Sequence, residues 1–545
     1  FGSSTQHRLQ RQHSNSRSMV WPLLPIVVEG IATQTLSATA CLGAVAAYRG
    51  RSPLWGVLVL PAVGAVCRIM RAICGPITKP AGLTSREDHR RRVQAASEAA
   101  KVPGPLRMFK KTSSNTFRPN QIGGRLESRA RLDLSEFVHV IEVNVKEMWC
   151  DIEASATFDT YVAETLKAGV MPLVIPELRT ITVGGAIVGI GVESSSFKHG
   201  FFHEGLLEAD VLVASGEVIT ASETHHPELF KALPNSLGSF GYLLRLRVRV
   251  QPMKPLVELE KVWCKTPEEL IDKMHAACKD KTADFVDGVA LSDAGGMLMV
   301  GRMVAASSMP VRKYGLWPPF YPSAIVEGSD CMSTHDYIWR WDADWFWCTQ
   351  IFPGLRSRLV RWLCGDAVLR SDNYKLFNDF VIKNVSGPLK LTKNEELIIQ
   401  DIDVPVEKSA EWLRKFKDVV PSARLGKIKL SRPGQGVTVP VWVCPVKGTA
   451  SPLMPMKADH MYMNFGFWDA LQGPETAGGM SVGRVNKALE QLCDELDAKK
   501  TLYSSIFYSE EDFYKRYNGE HYHKIKKLYD EGTRLRGWYE RLTRP

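Results

Sequence analysis

The chain lacks cysteine patterning, strong net charge and the short loops that mark several enzyme classes, and each absence excludes something. Eleven cysteines are spread over 545 residues without one Cys-x-x-Cys pair. That argues against a disulfide framework or a zinc site and for reduced thiols. No Gly-x-x-x-x-Gly-Lys-Ser/Thr loop occurs, and His203-Glu204 lacks the second histidine of a zinc-protease helix, so those chemistries are set aside and no metal is expected. The net charge of +10 is small for this length and comes partly from roughly the first ninety residues. With no RNA-reading signature beside it, nucleic acid is not an expected partner. A hydrophobic content of 45% and a charged content of 23% are ordinary for a globular chain, here long enough for two or three domains.

Acidic residues are also missing from Gly2 to Ser18, which holds Arg8, Arg11 and Arg17. With Phe1 in place of an initiator, this basic tail (1–18) reads as the remnant of an organellar targeting segment. Two apolar stretches follow, Met19 to Tyr48 and Pro53 to Cys74, separated by Arg49-Gly50-Arg51. Each approaches the roughly 20 residues that a helix needs to cross a bilayer, so a helical membrane hairpin is expected over 19–75. Glu29 and Arg68 interrupt it at a cost, and Pro22, Pro25 and Pro61 keep an interfacial anchor as the alternative. Cations on both flanks place both ends on the inner side. A linker is expected over 76–104. Membrane lipid and the subunits of an organellar membrane assembly are the expected partners, with the mitochondrial inner membrane placed ahead of the endoplasmic reticulum.

The most telling segment is what the chain does hold, from Pro176 to Gly200. Gly184, Gly185, Gly189 and Gly191 fall within eight positions, and Ser194-Ser195-Ser196 follow. Such a stretch lets backbone approach a ligand closely and offers N–H and hydroxyl donors to phosphates. Gly189-Ile190-Gly191 with Ser194 and Asp210 half-matches the Rossmann fingerprint. That motif needs a helix opening at the glycines, however, and Glu193 to Gly200 reads as a polar loop. Upstream, Lys110-Lys111-Thr112-Ser113-Ser114-Asn115-Thr116-Phe117-Arg118 is a hydroxyl-rich run bounded by cations, suited to wrapping a pyrophosphate. Between the two, strands are expected over 138–145 and 149–154, with a helix over 158–167 ending at Gly169. A hairpin is expected over 211–220 with its turn at Ser215-Gly216, and a strand over 243–250. Arg245, Arg247 and Arg249 alternate along that last strand and read as a solvated face.

From Lys110 through Pro255 these residues resemble the FAD-binding domain of the vanillyl-alcohol-oxidase/PCMH superfamily, and in detail the delta-24-sterol reductase family. The motifs that carry the likeness are Pro176-Glu177-Leu178, Thr182-Val183-Gly184-Gly185, Gly189, Gly191, Glu193-Ser194-Ser195-Ser196 and Gly200. Glu228-Leu229-Phe230, Pro234, Gly238 and Gly241 follow, then Gln400-Asp401, Val404-Pro405, Trp442, Cys444-Pro445, Asn518-Gly519 and Tyr522-His523-Lys524. The resemblance implies an α+β chain: a two-subdomain PCMH-type FAD-binding domain (105–255), an α/β cap over the substrate (256–500) and a C-terminal segment returning to the FAD domain (501–545).

It further implies FAD held by Thr112, Ser113, Ser114, Asn115, Pro176, Glu177, Thr182, Gly184, Gly185, Gly189, Gly191, Glu193, Ser194, Ser195, Ser196, Gly200, Gly238 and Gly241. Tyr508 and Lys524 are added from the C-terminal segment. Attachment is expected to be non-covalent, since the first loop offers Ser113, Ser114 and Asn115 rather than histidine. The family's reaction is reduction of a sterol side-chain double bond with NADPH as reductant. In the cap, Trp339, Trp341, Trp345 and Trp347 lie within nine positions and suit a flat apolar substrate, with Tyr337, His335 and Arg340 as candidate catalytic handles. Two alternatives stand beside this reading: an FAD-dependent oxidase or dehydrogenase of another lipid or alcohol, and a flavoprotein relative serving as a structural subunit.

Overall fold

A computed structural model describes residues 80–110, 131–291, 295–314, 319–342, 370–371, 395–420, 428–429, 437–438, 440–472 and 482–543. The basic tail, the expected hairpin over 19–75 and the Thr112–Asn115 loop lie outside the described residues. Among the described residues no helix is long and apolar enough to cross a membrane. Apart from 370–371, which fall in a unit formed by 1–78 and 352–389, the described residues belong to one compact unit, 79–351 with 390–545.

The first sheet of that unit is antiparallel. It contains β1 (Val140–Asn144), β2 (Trp149–Glu153), β3 (Val170–Pro172), β4 (Leu206–Leu212), β5 (Val218–Ser222) and β6 (Tyr242–Pro252). The order is β1-β2-β6-β4-β5, and β3 pairs with the far end of β6. The helix Phe158–Lys167 starts where the Thr157 hydroxyl accepts from the Thr160 N–H, and the chain turns away through Gly169 at a φ of 75°, a conformation that glycine adopts without strain. The glycine segment departs from its expected form. Val183–Val188 is a short helix with Thr182 as its N-cap, and Ser196–His199 is a second.

Two further expectations need correction. The described part of the expected linker, 80–104, is not one, because Arg86–Ala100 is a helix capped by the Ser85 side chain. It is bound to the sheet by His89 and Arg92, both of which contact Glu153. Nor are the β6 arginines a solvated face. Arg245 is buried among Asp151 at 3.1 Å, Asp210 at 2.6 Å and Glu208. Arg247 also reaches Asp151, at 2.8 Å, and lies 4.2 Å over the Trp149 ring. Of the three only Arg249 is exposed. Alternation marked the correct face of β6, but neighbouring strands bring acids to it and turn it into a buried ion-pair layer.

The second sheet has eight strands: β7 (Leu256–Cys264), β8 (Phe285–Ala290), β9 (Gly296–Val304), β10 (Gly328–Ser333), β11 (Glu395–Pro405), β12 (Val441–Lys447), β13 (Met461–Gln472) and β14 (Lys499–Lys500). Their order is β10-β7-β9-β8-β12-β13-β11-β14. Every pairing is antiparallel, so the cap is α+β in kind rather than the α/β expected from sequence. Its two faces differ, as alternation requires. Leu298, Val443, Phe465 and Ile402 join Met274, Trp412 and Leu489, from three helices, in one core cluster. Met297, Val289 and Trp442 face the other way and share a cluster with the glycine segment. Residues 501–543 pack back on the first sheet, where Phe513, Tyr522 and Trp538 enter the same cluster. Arg534 there donates to the carbonyls of Ala100 at 2.9 Å and Gly104 at 3.0 Å.

Candidate functional site

Between the glycine segment and the second sheet lies a cavity of about 420 Å³, within the range of small-molecule and cofactor clefts. Its floor is Pro176 to Val192, including Glu177, Thr182, Gly185, Gly189 and Gly191. Three of these glycines stand where an added side chain would be crowded, and at Gly189 a Cβ would lie 2.9 Å from the Gly185 carbonyl. A Cβ at Gly185 would lie 2.8 Å from the Thr182 hydroxyl, and one at Gly191 would lie 3.0 Å from Pro176 and 3.2 Å from Phe202. One end of the cavity is cationic, lined by Arg107, Lys110, Arg536 and Arg541. The Lys110 amine donates to the Thr182 hydroxyl at 2.9 Å, and an Arg541 N–H donates to the Gly238 carbonyl at 3.1 Å. Burial, and then the neighbouring Arg107, pull the Arg536 guanidinium below its usual range.

A further part of the lining comes from the second sheet and the segment after it: Asp401, Trp442, Trp468 and Tyr503. Register explains the grouping. Trp442 pairs with Gly466, and Gly466 with Asp401, so the three form one cross-strand row on one face. Gly466 lacks the side chain that would fill this row. A Cβ there would lie 2.9 Å from the Asp401 carboxyl and 3.2 Å from Trp442. Burial pushes Asp401 up to about 7, while a hydrogen bond from Tyr503 pulls the other way. Two residues along the same face, burial pushes Asp403 up to about 8 despite its 2.9 Å hydrogen bond from Asn464. On the floor, burial and then the nearby Glu193 raise Glu177 well above the usual carboxyl range. Its buried Oε1 has no hydrogen-bond partner among the described residues.

Of the residues anticipated for the cofactor, Pro176, Glu177, Thr182, Gly185, Gly189 and Gly191 come together on the floor, whereas the other described ones do not line the cavity, and Thr112, Ser113, Ser114 and Asn115 lie outside the described residues. The three serines are spent internally: Ser194 Oγ meets the Tyr337 hydroxyl at 3.1 Å, Ser195 donates to the Leu173 carbonyl, and Ser196 accepts from the Glu193 N–H. Glu193 pairs with Arg340 at 2.9 Å. Gly184 lets its helix press on β2, since a Cβ there would sit 2.8 Å from the Ala154 carbonyl. Gly200 and Gly238 occupy positive φ at 72° and 75°, and Gly241 packs under Leu212. Tyr508 lies in the C-terminal core with Arg516 4.6 Å over its ring, and Lys524 is exposed.

The candidate catalytic handles also lie elsewhere. Tyr337 and Arg340 are buried in a brace between the two sheets. There Arg340 bridges Glu193 and Asp287, the latter at 2.7 Å, and Asp287 Oδ2 also accepts from Trp341 and Trp442. His335 is exposed beside Asp336. Trp339 and Trp341 are core residues, and Trp345 and Trp347 lie outside the described residues. Sequence reasoning assigned no role to Asp401, Tyr503, Trp468, Arg107, Arg536 or Arg541. A signal existed for Asp401, because the alternation of Ile399, Asp401 and Asp403 places two acids on one face of a buried strand.

The cavity suits FAD. Four cations at one end match a diphosphate, the glycine floor permits close approach of a flat or extended ligand, and the unpaired Glu177 oxygen offers an acceptor for a ligand N–H or hydroxyl.

Residues 92–222 match the FAD binding domain family. The chain is 24% identical to the Delta(24)-sterol reductase of Mus musculus over 452 residues, 77% of this chain and 81% of that protein. It is 24% identical to the Delta(24)-sterol reductase of Arabidopsis thaliana over 462 residues, covering 75% and 76%. Cytokinin dehydrogenase 1 of Arabidopsis thaliana is 29% identical over 147 residues, about a quarter of each chain. The chain is thus an FAD-dependent oxidoreductase with a PCMH-type FAD-binding domain, related at low identity to the Delta(24)-sterol reductases.

Proposed function

We propose that this FAD-dependent oxidoreductase reduces a carbon–carbon double bond in a sterol side chain, with NADPH as electron donor and FAD bound non-covalently. The observation that carries the proposal is the cavity itself: a glycine floor and cationic end suited to the cofactor, with two tryptophans and one acid in the same lining. Similarity to sterol reductases over three quarters of the chain supports the choice of substrate. Bound FAD supplies two-electron hydride chemistry. The protein's own share is positional. Arg107, Lys110, Arg536 and Arg541 hold anionic groups, Gly185, Gly189 and Gly191 admit the ligand to van der Waals contact, and Trp442 with Trp468 gives an apolar sterol a dry wall.

The decisive experiment is anaerobic. The purified protein is expected to show a flavin spectrum, to bleach with NADPH, and to recover its colour with formation of the saturated product when a delta-24 sterol is added. Flavin that stays with the polypeptide after acid precipitation would refute non-covalent binding. Reoxidation by oxygen but not by sterol would favour a dehydrogenase or oxidase of another substrate, a reading to which the likeness to cytokinin dehydrogenase gives some weight. Placement in an organellar membrane, the mitochondrial inner membrane first, through residues 19–75 and with assembly partners there, belongs to the same proposal. Carbonate extraction of fractionated organelles tests it: release of the protein into the soluble fraction would refute it.

A further inference from the structure

The second sheet presents a carboxyl group to the cavity that no ion pair at Asp401 accounts for among the described residues, and that Tyr503 holds by a hydrogen bond. We propose that Asp401 is the catalytic acid of this site, giving its proton to a substrate carbon held in the cavity, with Tyr503 positioning it. This rests on the reductase reading above.

Three features of the structure support the assignment. Asp401 lies in the row Trp442–Gly466–Asp401, so its carboxyl sits beside an apolar indole in space that Gly466 leaves open. Tyr503 lies on the same wall, and its hydroxyl is a ready donor to that carboxyl. The remaining acids of this region are placed differently. Glu177 belongs to the floor, Glu193 and Asp287 are tied to Arg340, and Asp403 is hydrogen-bonded to Asn464 and does not line the cavity. An acid that titrates near neutrality also suits general acid catalysis at physiological pH.

The chemistry balances. Saturation of a double bond requires a hydride, which carries both electrons, on one carbon and a proton on the other. The hydride originates in NADPH, which is oxidised, and the alkene is reduced. The π pair forms the second C–H bond with the proton that leaves the Asp401 oxygen, and the carboxylate then regains a proton from water.

The test uses the full-length protein and the isosteric Asp401→Asn variant. Its flavin content and its rate of reduction by NADPH should match the wild type, while reoxidation by the sterol falls about 100-fold or more. Unimpaired reoxidation would overturn the proposal. Tyr503→Phe removes the hydrogen bond that holds Asp401 down, so the alkaline limb of the rate profile should move to higher pH, a shift that a merely structural role would not produce. An unmoved limb would refute the positioning role of Tyr503. Independent of turnover, infrared spectra of the flavin-stripped protein should show a carboxylic C=O band titrating near neutrality, lost in Asp401→Asn and retained in Asp403→Asn. Absence of that band overturns the assignment even if the wild type proves inert toward sterols, in which case it is the reductase reading that fails.

Discussion

Removing the Arg245 guanidinium tests the reading of the first sheet as a structure held by a buried charge layer. Arg245→Met keeps the aliphatic stem and leaves Asp151, Glu208 and Asp210 without their shared cation. Asp151 is fully buried and retains Arg247 at 2.8 Å, so the loss is severe without being total. Breaking a buried pair from one side costs about 3–5 kcal/mol. For a compact unit of this size, at about 2.1 cal/mol/K of unfolding entropy per residue, that lowers the melting temperature by about 3–6 °C. Arg249→Met, on the same strand but exposed, should cost less than about 0.5 kcal/mol. Differential scanning fluorimetry of the two variants beside the wild type makes the comparison. Equal and small shifts for both would show that the β6 arginines are solvated after all and that the ion-pair layer contributes nothing.

Other outcomes follow from the site. Lys110→Ala and Arg541→Ala should each weaken FAD binding roughly 10- to 150-fold, the loss of one charge-assisted contact, as read by flavin fluorescence titration; unchanged affinity would displace the diphosphate from the cationic end. Gly466→Ala should keep its FAD yet lose turnover, because its Cβ would meet the Asp401 carboxyl at 2.9 Å and Trp442 at 3.2 Å; steady-state kinetics equal to wild type would sink this reading of the row. In the folded state Asp401 and Asp403 keep their protons up to about 7 and about 8, against an ordinary 3.8. The folded protein therefore binds more protons between these values, and stability falls as pH rises from about 4 toward 8 and then levels. Urea titrations of the flavin-stripped protein should show a shallower decline for Asp403→Asn; an identical decline would place its carboxyl in water.

Much of the first domain was legible because its local signals agree with its tertiary surroundings. The helix Phe158–Lys167 carries its own cap and stop, β6 announces itself by alternation, and β1 and β2 are short apolar-rich runs. The glycine floor was legible too, since close approach demands a residue type that few other constraints demand. Period alone does not say what covers a face, so Arg245 looked solvated until Asp151 and Asp210 arrived from neighbouring strands. The serines looked like ligand donors for the same reason: their partners, Tyr337 and the Leu173 carbonyl, are far away in sequence or hidden in backbone. Arg536 and Arg541 reach the cavity from more than three hundred residues beyond the glycine segment, a distance that no local pattern encodes.

That return of the C-terminal segment has a consequence for how the protein is made. Arg534 binds the carbonyl of Ala100, 434 positions earlier, and Arg541 binds that of Gly238, 303 positions earlier. Domains emerging from the ribosome fold in order as they are synthesised. The first sheet therefore waits, with one end of its cavity unbuilt, through the synthesis of the whole second sheet. Nascent chains arrested before residue 534 should be unable to retain flavin, which places cofactor loading after residues 534–541 have left the exit tunnel.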